Sequence, residues 1–533
     1  MGRILIGKIG DSDAKKAAKE AALKTQIENE VLARLVGTVP THNYDGDTYG
    51  VRFTNGSTTG VGIGGLTGCT FASFNNDGTI NWGTMYSSGF LDVDEVVEVQ
   101  ELVGTNVFES DGETPMKSHY SKFKARAPKL FIWEDDQQNK YYDYLILKQP
   151  NYEKNFFLHK AFVNDDGTEK AYMLYARFPL AEKTDSDGNK HLVSQPNLYP
   201  VSEVLPETAI IPYRDADAEV VRVEWDYIAF LSKIVFGTTE IGYHGYNHGG
   251  LLGNALDNYG GYQLSLNSNS AGNTFKVANE SPYADLAVGA KVSFRFGNLY
   301  GSFGTGGSTY MVTRTITEKE VGSSNTVFTF DGEAINVYNK YLHTVFMGMT
   351  GVTESMNALC GEDIKYPAGY RPFKLWGIEN LFGAMGTWCD GLKSSNATTL
   401  CICDTNRGCT AGSYSGYVSI GQSLPSSNGY IKSYIMAHNS KYDGTVIPRY
   451  NFLVPNEVGA SNITYESSYK YLDTNNNMAI VYGRDRADSN YQNNGGISSL
   501  ASSYHSSSTW SFVANSSLSN GCWGRVYRSV KRM

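Results

Sequence analysis

No stretch of the 533 residues approaches the ~18 consecutive apolar positions that a membrane-spanning helix needs. Proline is scarce at 15 residues, and charged residues make up 19%, below the usual ~25%. Lys and Arg number 45 against 54 Asp and Glu, which leaves a net charge of −9. An acidic balance argues against a dedicated nucleic-acid binder, because phosphate binding needs clustered cations. The opening residues Met1–Gly10 hold only the short apolar run Ile4–Ile6, too short for a signal-peptide core. Position 6 is Ile, so the myristoylation pattern after Gly2 fails. The expectation is a chain made and folded in a cytoplasm. A particle released by lysis could still carry it outside the cell.

Cysteine is sparse and odd in number: Cys69, Cys360, Cys389, Cys401, Cys403, Cys409 and Cys522. A secreted disulfide framework normally shows an even count. The one cluster, Cys401-Ile402-Cys403 with Cys409, has C-x-C spacing, and no His lies between Cys360 and His438. Zinc sites prefer wider pairs with a second pair or His beyond. Buried thiols on a strand are the expected reading, and no metal is expected.

Familiar catalytic signatures are missing too. There is no nucleophile elbow and no phosphate-binding P-loop. His244 and His248 have i, i+4 spacing, but the glycines around them in 242–250 exclude a stable helix. Asp473-Thr474-Asn475 and Asp185-Ser186-Asp187 both open like calcium loops. Their sixth positions are Met478 and Lys190, and their twelfth are Arg484 and Pro196, where an EF-hand needs Gly and Glu. No catalytic residue and no cofactor is expected. A carboxylate pair hidden among the acidic residues remains open.

What is abundant is glycine, with 56 residues, and tyrosine, with 37 against 24 Phe and 7 Trp. An apolar fraction of 41% excludes disorder and supports a loop-rich globular protein. Its length allows about three or four domains. Residues 11–36 are rich in Ala, Lys and Glu, with Asp11, Ser12 and Asp13 as candidate caps and Gly37 and Pro40 as terminators. Ala17, Ala21, Leu23, Ile27, Val31 and Leu35 form one apolar stripe, which predicts a helix. That stripe packs either on its own domain or on copies of itself about an oligomer axis.

From residue 41 onward the text becomes short apolar runs between dense turn signals. Strands are expected at Tyr49–Phe53, Lys129–Trp133, Tyr141–Lys148 and Ala171–Phe178, with a turn over Asp185–Lys190. The run beginning at Ala218 reads as a helix over Asp226–Val235 or a strand pair, the helix being favoured. Residues 254–350 read as a small β domain with strands at Thr274–Val277, Lys291–Phe296, Tyr310–Thr317 and Thr326–Phe330. From Asn396 to the end, Ser, Asn, Tyr and Gly dominate.

The most informative segment is 369–392. Trp376, Ile378, Leu381, Phe382, Met385 and Trp388 supply core, while Glu379, Asn380 and Asp390 are polar groups embedded among them. Such groups, once buried, must be hydrogen-bonded, so their expected role is to pin loops. The segment resembles the signature G-[IL]-x-[ND]-x-x-G-N-x-W-[EK]-W-x-D-G of the C-type-lectin-like fold. That fold serves formylglycine-generating enzymes and bacteriophage receptor-binding proteins. Gly377, Ile378, Asn380, Gly383, Trp388, Asp390 and Gly391 match it, with Trp376 and Glu379 alongside, and Ala384 stands where the signature has Asn. The ending Ser516–Arg525 is similar to that family's closing Gly-x-Arg strand, and Tyr49–Phe53, Gly62–Gly64 and Asn76–Gly78 are similar to phage fibre proteins with this fold.

The resemblance implies an α+β, β-rich chain in four parts. They are an attachment and oligomerisation arm with a helix (1–40), a first C-type-lectin-like portion (41–253), an inserted small β domain (254–350) and a C-terminal C-type-lectin-like portion (351–533). The enzyme branch needs a reactive cysteine pair near the C-terminus, where only Cys522 stands. The calcium-dependent lectin branch needs motifs of which Gln195-Pro196-Asn197 is a fragment. A binding surface remains. Residues 482–512 mix rigid aromatics with adaptable amides and hydroxyls, as antibody paratopes do. Tyr482, Tyr491, Asn493, Tyr504, His505 and Trp510 are the candidate receptor contacts, weighed against a plain solvated loop.

The implied protein is a virion component of a bacteriophage, a tail or head fibre, assembled in the host cytoplasm. It would be a homotrimer that meets other virion proteins through its N-terminal arm and a host-surface glycan or protein through its C-terminal loops. Neither nucleic acid nor membrane insertion is implied. A purely structural virion component and a carbohydrate-processing surface enzyme are the alternatives.

Overall fold

The computed structural model describes residues 44–198, 218–238, 262–296, 310–343 and 374–379 with short breaks, Thr350 and Gly351, and strands between 386 and 531, mostly as backbone. It is β-rich with few helices, and four larger sheets organise it. The predicted helix 11–36 lies outside the described residues.

The first sheet orders its strands Val61–Gly64, Thr48–Thr54, Lys140–Leu147 and Ala127–Glu134, all antiparallel. Val51 and Phe53 alternate with polar neighbours, the period-two pattern of a half-buried strand. The helix Glu224–Phe236 packs on this sheet. It is apolar on most of its circumference, with Tyr227, Ile228, Phe230, Leu231, Ile234, Val235 and Phe236 all buried. A helix enclosed on several sides is expected to read that way. Tyr144 lies edge-on between Phe53 (5.7 Å) and Phe230 (5.1 Å). Lys233 is buried above the Tyr144 ring and donates to its hydroxyl at 3.2 Å.

Gly237 stops the helix with φ +57°. A Cβ there would lie 2.3 Å from the Phe71 ring, so only glycine lets the chain pass. The carbonyls of Val235 and Gly237 are taken by the amides of Ala72 (3.0 Å) and Gly60 (2.8 Å). Across the same first sheet Arg52 faces Asp143, the two being paired neighbours on adjacent strands. Arg52 donates twice to the fully buried Asp143 carboxylate, at 2.7 and 2.6 Å, and Tyr44 adds a third bond at 2.9 Å. The hydrogen bonds it donates to Asp143 hold the Arg52 pKa above its ordinary value, against the opposing effect of burial.

The five-stranded sheet runs Ala218–Val220, Ser529–Lys531, Tyr172–Ala176, Lys117–Lys124, Val96–Leu102. Its second strand comes from the C-terminal end of the chain, with Val530 paired to Tyr175 on one side and Glu219 on the other. A two-residue parallel pair, Leu158–His159 with Arg449–Tyr450, ties the early and late parts together again.

The six-stranded sheet lies wholly between 262 and 343, in the order Tyr262–Gln263, Tyr341–His343, Lys291–Phe296, Tyr310–Val321, Asn325–Phe330, Thr274–Ala278. Every pairing is antiparallel. The long strand Tyr310–Val321 serves both halves, its start on Lys291–Phe296 and its end on Asn325–Phe330. An irregularity between Ile316 and Glu318 separates the halves, the kind of bulge that bends a strand and increases its twist. Inside lies an aromatic core. Phe275 stacks on Phe328 at 4.9 Å and meets Phe294 edge-on at 5.4 Å, and Phe294 reaches Phe330 at 5.2 Å.

The strands expected at Tyr49–Phe53, Lys129–Trp133, Tyr141–Lys148, Lys291–Phe296 and Thr326–Phe330 are found within one or two residues of those bounds. The helix is two residues longer at its start than Asp226–Val235 and one longer at its end. Tyr310–Thr317 runs on to Val321.

Candidate recognition face and its buried anchor

The last large sheet has nine strands. Eight run in the order Tyr417–Ser423, Thr399–Cys403, Gly386–Ser395, Met478–Tyr482, Phe512–Ser517, Tyr469–Leu472, Gly429–Ala437, Phe452–Gly459, and Arg525–Val526 pairs beside Gly386. Two pairings are parallel: Tyr469–Leu472 with Phe512–Ser517, and Gly386–Ser395 with Arg525–Val526. Met478–Tyr482 and Phe512–Ser517 are adjacent and antiparallel, with Val481 opposite Val513. The long connection 483–511 therefore leaves and re-enters at one end of the sheet. Thr387 pairs with Tyr482 and with Val526 at that same end.

The topology thus sets Tyr482 at the root of the connection. Trp388 pairs with Val481. Asp390 and Gly391 sit in a bulge between Cys389, which pairs with Ile480, and Lys393, which pairs with Ala479. The matched motif and the family-like ending are neighbours, because Gly386 pairs with Arg525. Cys401 and Cys403 lie on the strand Thr399–Cys403. Asn380, Gly383, Tyr491, Asn493, Tyr504, His505 and Trp510 lie outside the described residues, as do His244, His248 and Cys409.

The front of the motif is described in full and forms a buried anchor. Lys374–Leu375 and Ile378–Glu379 make a hairpin whose two turn residues are Trp376 and Gly377. Both have positive φ, +53° and +75°, the geometry of a type I′ turn. Glycine takes this readily, whereas a tryptophan there costs ~1–3 kcal/mol and needs surrounding structure to hold it. That structure comes from the five-stranded sheet and from Arg177, the residue after its strand Tyr172–Ala176. Ser121 Oγ donates to the Trp376 carbonyl and Arg177 Nε to the Gly377 carbonyl, each at 2.6 Å. The buried indole meets Phe123 edge-on at 5.7 Å.

Glu379 continues the anchor. Its amide donates to the Arg177 carbonyl at 2.8 Å, and its buried carboxylate accepts from the Gly351 amide at 3.1 and 3.2 Å. Gly351 has φ +90°, and a Cβ there would stand 2.5 Å from Pro196. Beside it, Thr350 is stitched to 195–198. Its hydroxyl donates to Gln195 O at 2.5 Å, and its carbonyl accepts from Asn197 N at 2.7 Å. The fragment Gln195-Pro196-Asn197 is therefore part of a seam. The Gln195 side chain donates to Lys117 O at 2.5 Å and accepts from Lys183 Nζ at 2.9 Å.

The turn after Thr184 has a similar internal economy. The Asp185 carboxylate accepts from Asp187 N (2.9 Å), Asn189 N (2.7 Å) and Asn189 Nδ2 (3.3 Å), and lies 2.7 Å from His191 Nε2. The His191 contact first, and then the amides, lower its pKa to about 2 despite the cost of desolvation. Asp111 is lowered to about 2 by the Thr114 hydroxyl and by backbone amides. Among the described residues no group of His, Cys, Asp and Glu is arranged to hold a metal ion, and no helix is long and apolar enough to cross a membrane.

Sequence reasoning missed Ser121, Arg177, Thr350 and Gly351. One signal was available, the charged Arg177 between Ala176 and Phe178 in an otherwise apolar stretch. Ser121 is 255 positions from its partner, and no local pattern marks it. Compared with known proteins, the chain matches no protein-family model and no curated sequence.

Proposed function

We propose that this chain is a bacteriophage fibre component, of tail or head, that attaches the virion to a host-surface glycan or protein through the connection 483–511. The observation that carries the reading is the rooting of that Tyr-, Asn- and Ser-rich connection between two neighbouring strands, Met478–Tyr482 and Phe512–Ser517. A long connection on a broad sheet is a common way to present adaptable contacts from a rigid base. In this reading Tyr482, Tyr491, Asn493, Tyr504, His505 and Trp510 supply the contacts. Residues 1–40 join the fibre to other virion proteins, and three copies assemble.

The finer fold reading is that 41–253 and 351–533 form one C-type-lectin-like domain interrupted by the β unit. Two features support it. The motif strand pairs with the family-like ending at Gly386 and Arg525, and Val530 completes the sheet that holds the anchor. A binding role rather than hydrolysis is supported by the buried carboxylates Asp143, Asp185 and Glu379, each engaged by structural partners.

The test is binding of the purified full-length chain to host cells. Replacing Tyr491, Tyr504 and Trp510 together with Ala should reduce binding at least tenfold, since aromatic anchors of ~1–2 kcal/mol each are amplified by multivalency. Circular dichroism checks folding. A folded triple variant that binds like the parent removes this face as the receptor site and favours the purely structural role.

A further inference from the structure

The six-stranded unit carries a surface of a different character from the rest of its exterior. Two of its segments, 264–272 and 335–340, lie side by side. They are joined at one end by Leu264 N to Lys340 O (2.8 Å) and Asn339 N to Leu264 O (3.2 Å), and at the other by the mutual bonds of Gly272 and Ile335. Within the two segments the one charged residue is Lys340, whose Nζ lies over the Phe296 ring at 5.6 Å. Between the two anchor points stand Leu266, 46% exposed, and Tyr338, 36% exposed, in a setting of Asn and Ser.

The amides there are held in place before any ligand arrives. Asn336 Oδ1 accepts from Tyr338 N at 3.0 Å, and Asn336 Nδ2 donates to Asn269 Oδ1 at 2.8 Å. Asn267 is likewise fixed, accepting from Lys276 N at 2.8 Å and donating to Leu264 O at 3.3 Å. Asn339 takes φ +52° at the adjoining turn, next to Tyr338. Among the described residues no hydrogen bond engages the Tyr338 hydroxyl or Asn269 Nδ2.

A partly exposed aromatic residue, a pre-set amide donor, a phenol and a single cation already placed over a ring suit a particular ligand chemistry. Sugar rings present C–H faces that lie on aromatic rings, and hydroxyls that pair with amides. A phosphate, sulfate or carboxylate ligand would want clustered cations, and these two segments offer only Lys340. We propose that the Leu266–Tyr338 face is a binding site for a neutral saccharide, with Tyr338 as the stacking platform and the ordered Asn269–Asn336 pair fixing the hydroxyls. This site is separate from the 483–511 face and does not depend on it.

The experiment uses the full-length chain and three neutral probes: maltoheptaose, cellohexaose and mannohexaose, read by isothermal titration with the acidic colominic acid as counter-probe. The parent should bind at least one neutral probe and not the acidic one. Tyr338→Ala should weaken that binding about tenfold or more, the loss expected for a central aromatic contact. Asn269→Ala should weaken it by a smaller factor. Val321→Ala, exposed elsewhere on the same unit, should leave it unchanged. Because these side chains are at the surface, circular dichroism should show every variant folded, and Leu266→Ser provides a second probe of the face. The triple variant at 491, 504 and 510 should keep the binding. Absence of neutral-sugar binding by the parent overturns the proposal, as does full binding by folded Tyr338→Ala and Leu266→Ser. Loss in the triple variant alone also overturns it and places the saccharide on the other face.

Discussion

The six-stranded unit and the nine-stranded sheet solve the same problem in opposite ways. In the first, every strand comes from the stretch 262–343, every pairing is antiparallel, and the Phe275, Phe294, Phe328 and Phe330 rings close the core internally. In the second, parallel pairings join strands distant in sequence, and the polar anchor hairpin just ahead of it in the chain reaches back to Ser121 and Arg177. Local pairing makes a self-contained module. Long-range pairing makes a platform whose strand ends are free to carry long connections. The two regions should therefore respond separately to damage.

The largest effect is expected inside the small unit. Phe294 is fully buried, so Phe294→Ala should cost ~3–5 kcal/mol of that unit's stability through lost contacts and a cavity. Differential scanning calorimetry should show one transition falling while the other holds. A single transition moving as a whole would mean that the regions are not separate.

Gly377→Ala attacks the anchor hairpin instead. Its φ of +75° is left-handed, and a Cβ there costs ~1–2 kcal/mol. The transition of the larger region should drop by that amount, with the small unit's unchanged, in the same calorimetric scan.

The smallest effect concerns acid. Asp185 has its pKa lowered to about 2, so its folded value lies below its unfolded one. The stability it contributes is complete above the ordinary carboxylate range and is lost as pH falls toward 2. Melting temperatures measured between pH 5 and 2 should fall less steeply in Asp185→Asn than in the parent. The difference should appear in the larger region's transition.

Much of this contrast was legible in the sequence, and unevenly. Lys291–Phe296 was read at its exact bounds, because alternating Val292, Phe294 and Phe296 leave little choice of face. The helix was legible from Asp226 to Val235, where apolar residues are dense. The extension of Tyr310–Val321 past Thr317 was not, since Glu318-Lys319-Glu320 looks like a turn and is held by backbone pairing that leaves no mark on side chains. In the motif, Trp376, Ile378 and Glu379 were legible as a buried, pinned segment. Their partners were not, because Ser121 and Arg177 act on carbonyls 255 and 200 positions away, a relation with no periodicity. A left-handed tryptophan is equally invisible beforehand, as its conformation is imposed by the groups that capture it.

We propose that the nine-stranded sheet presents the connection between Tyr482 and Phe512 to a host surface. Hydrogen–deuterium exchange of the full-length protein, with and without envelope fragments of the host bacterium, reads out that contact. The expected result is slowed exchange in peptides covering 482–512, with the rest of the nine-stranded sheet little changed. Unchanged exchange across 482–512 alongside slowed exchange in another part of the chain would contradict it.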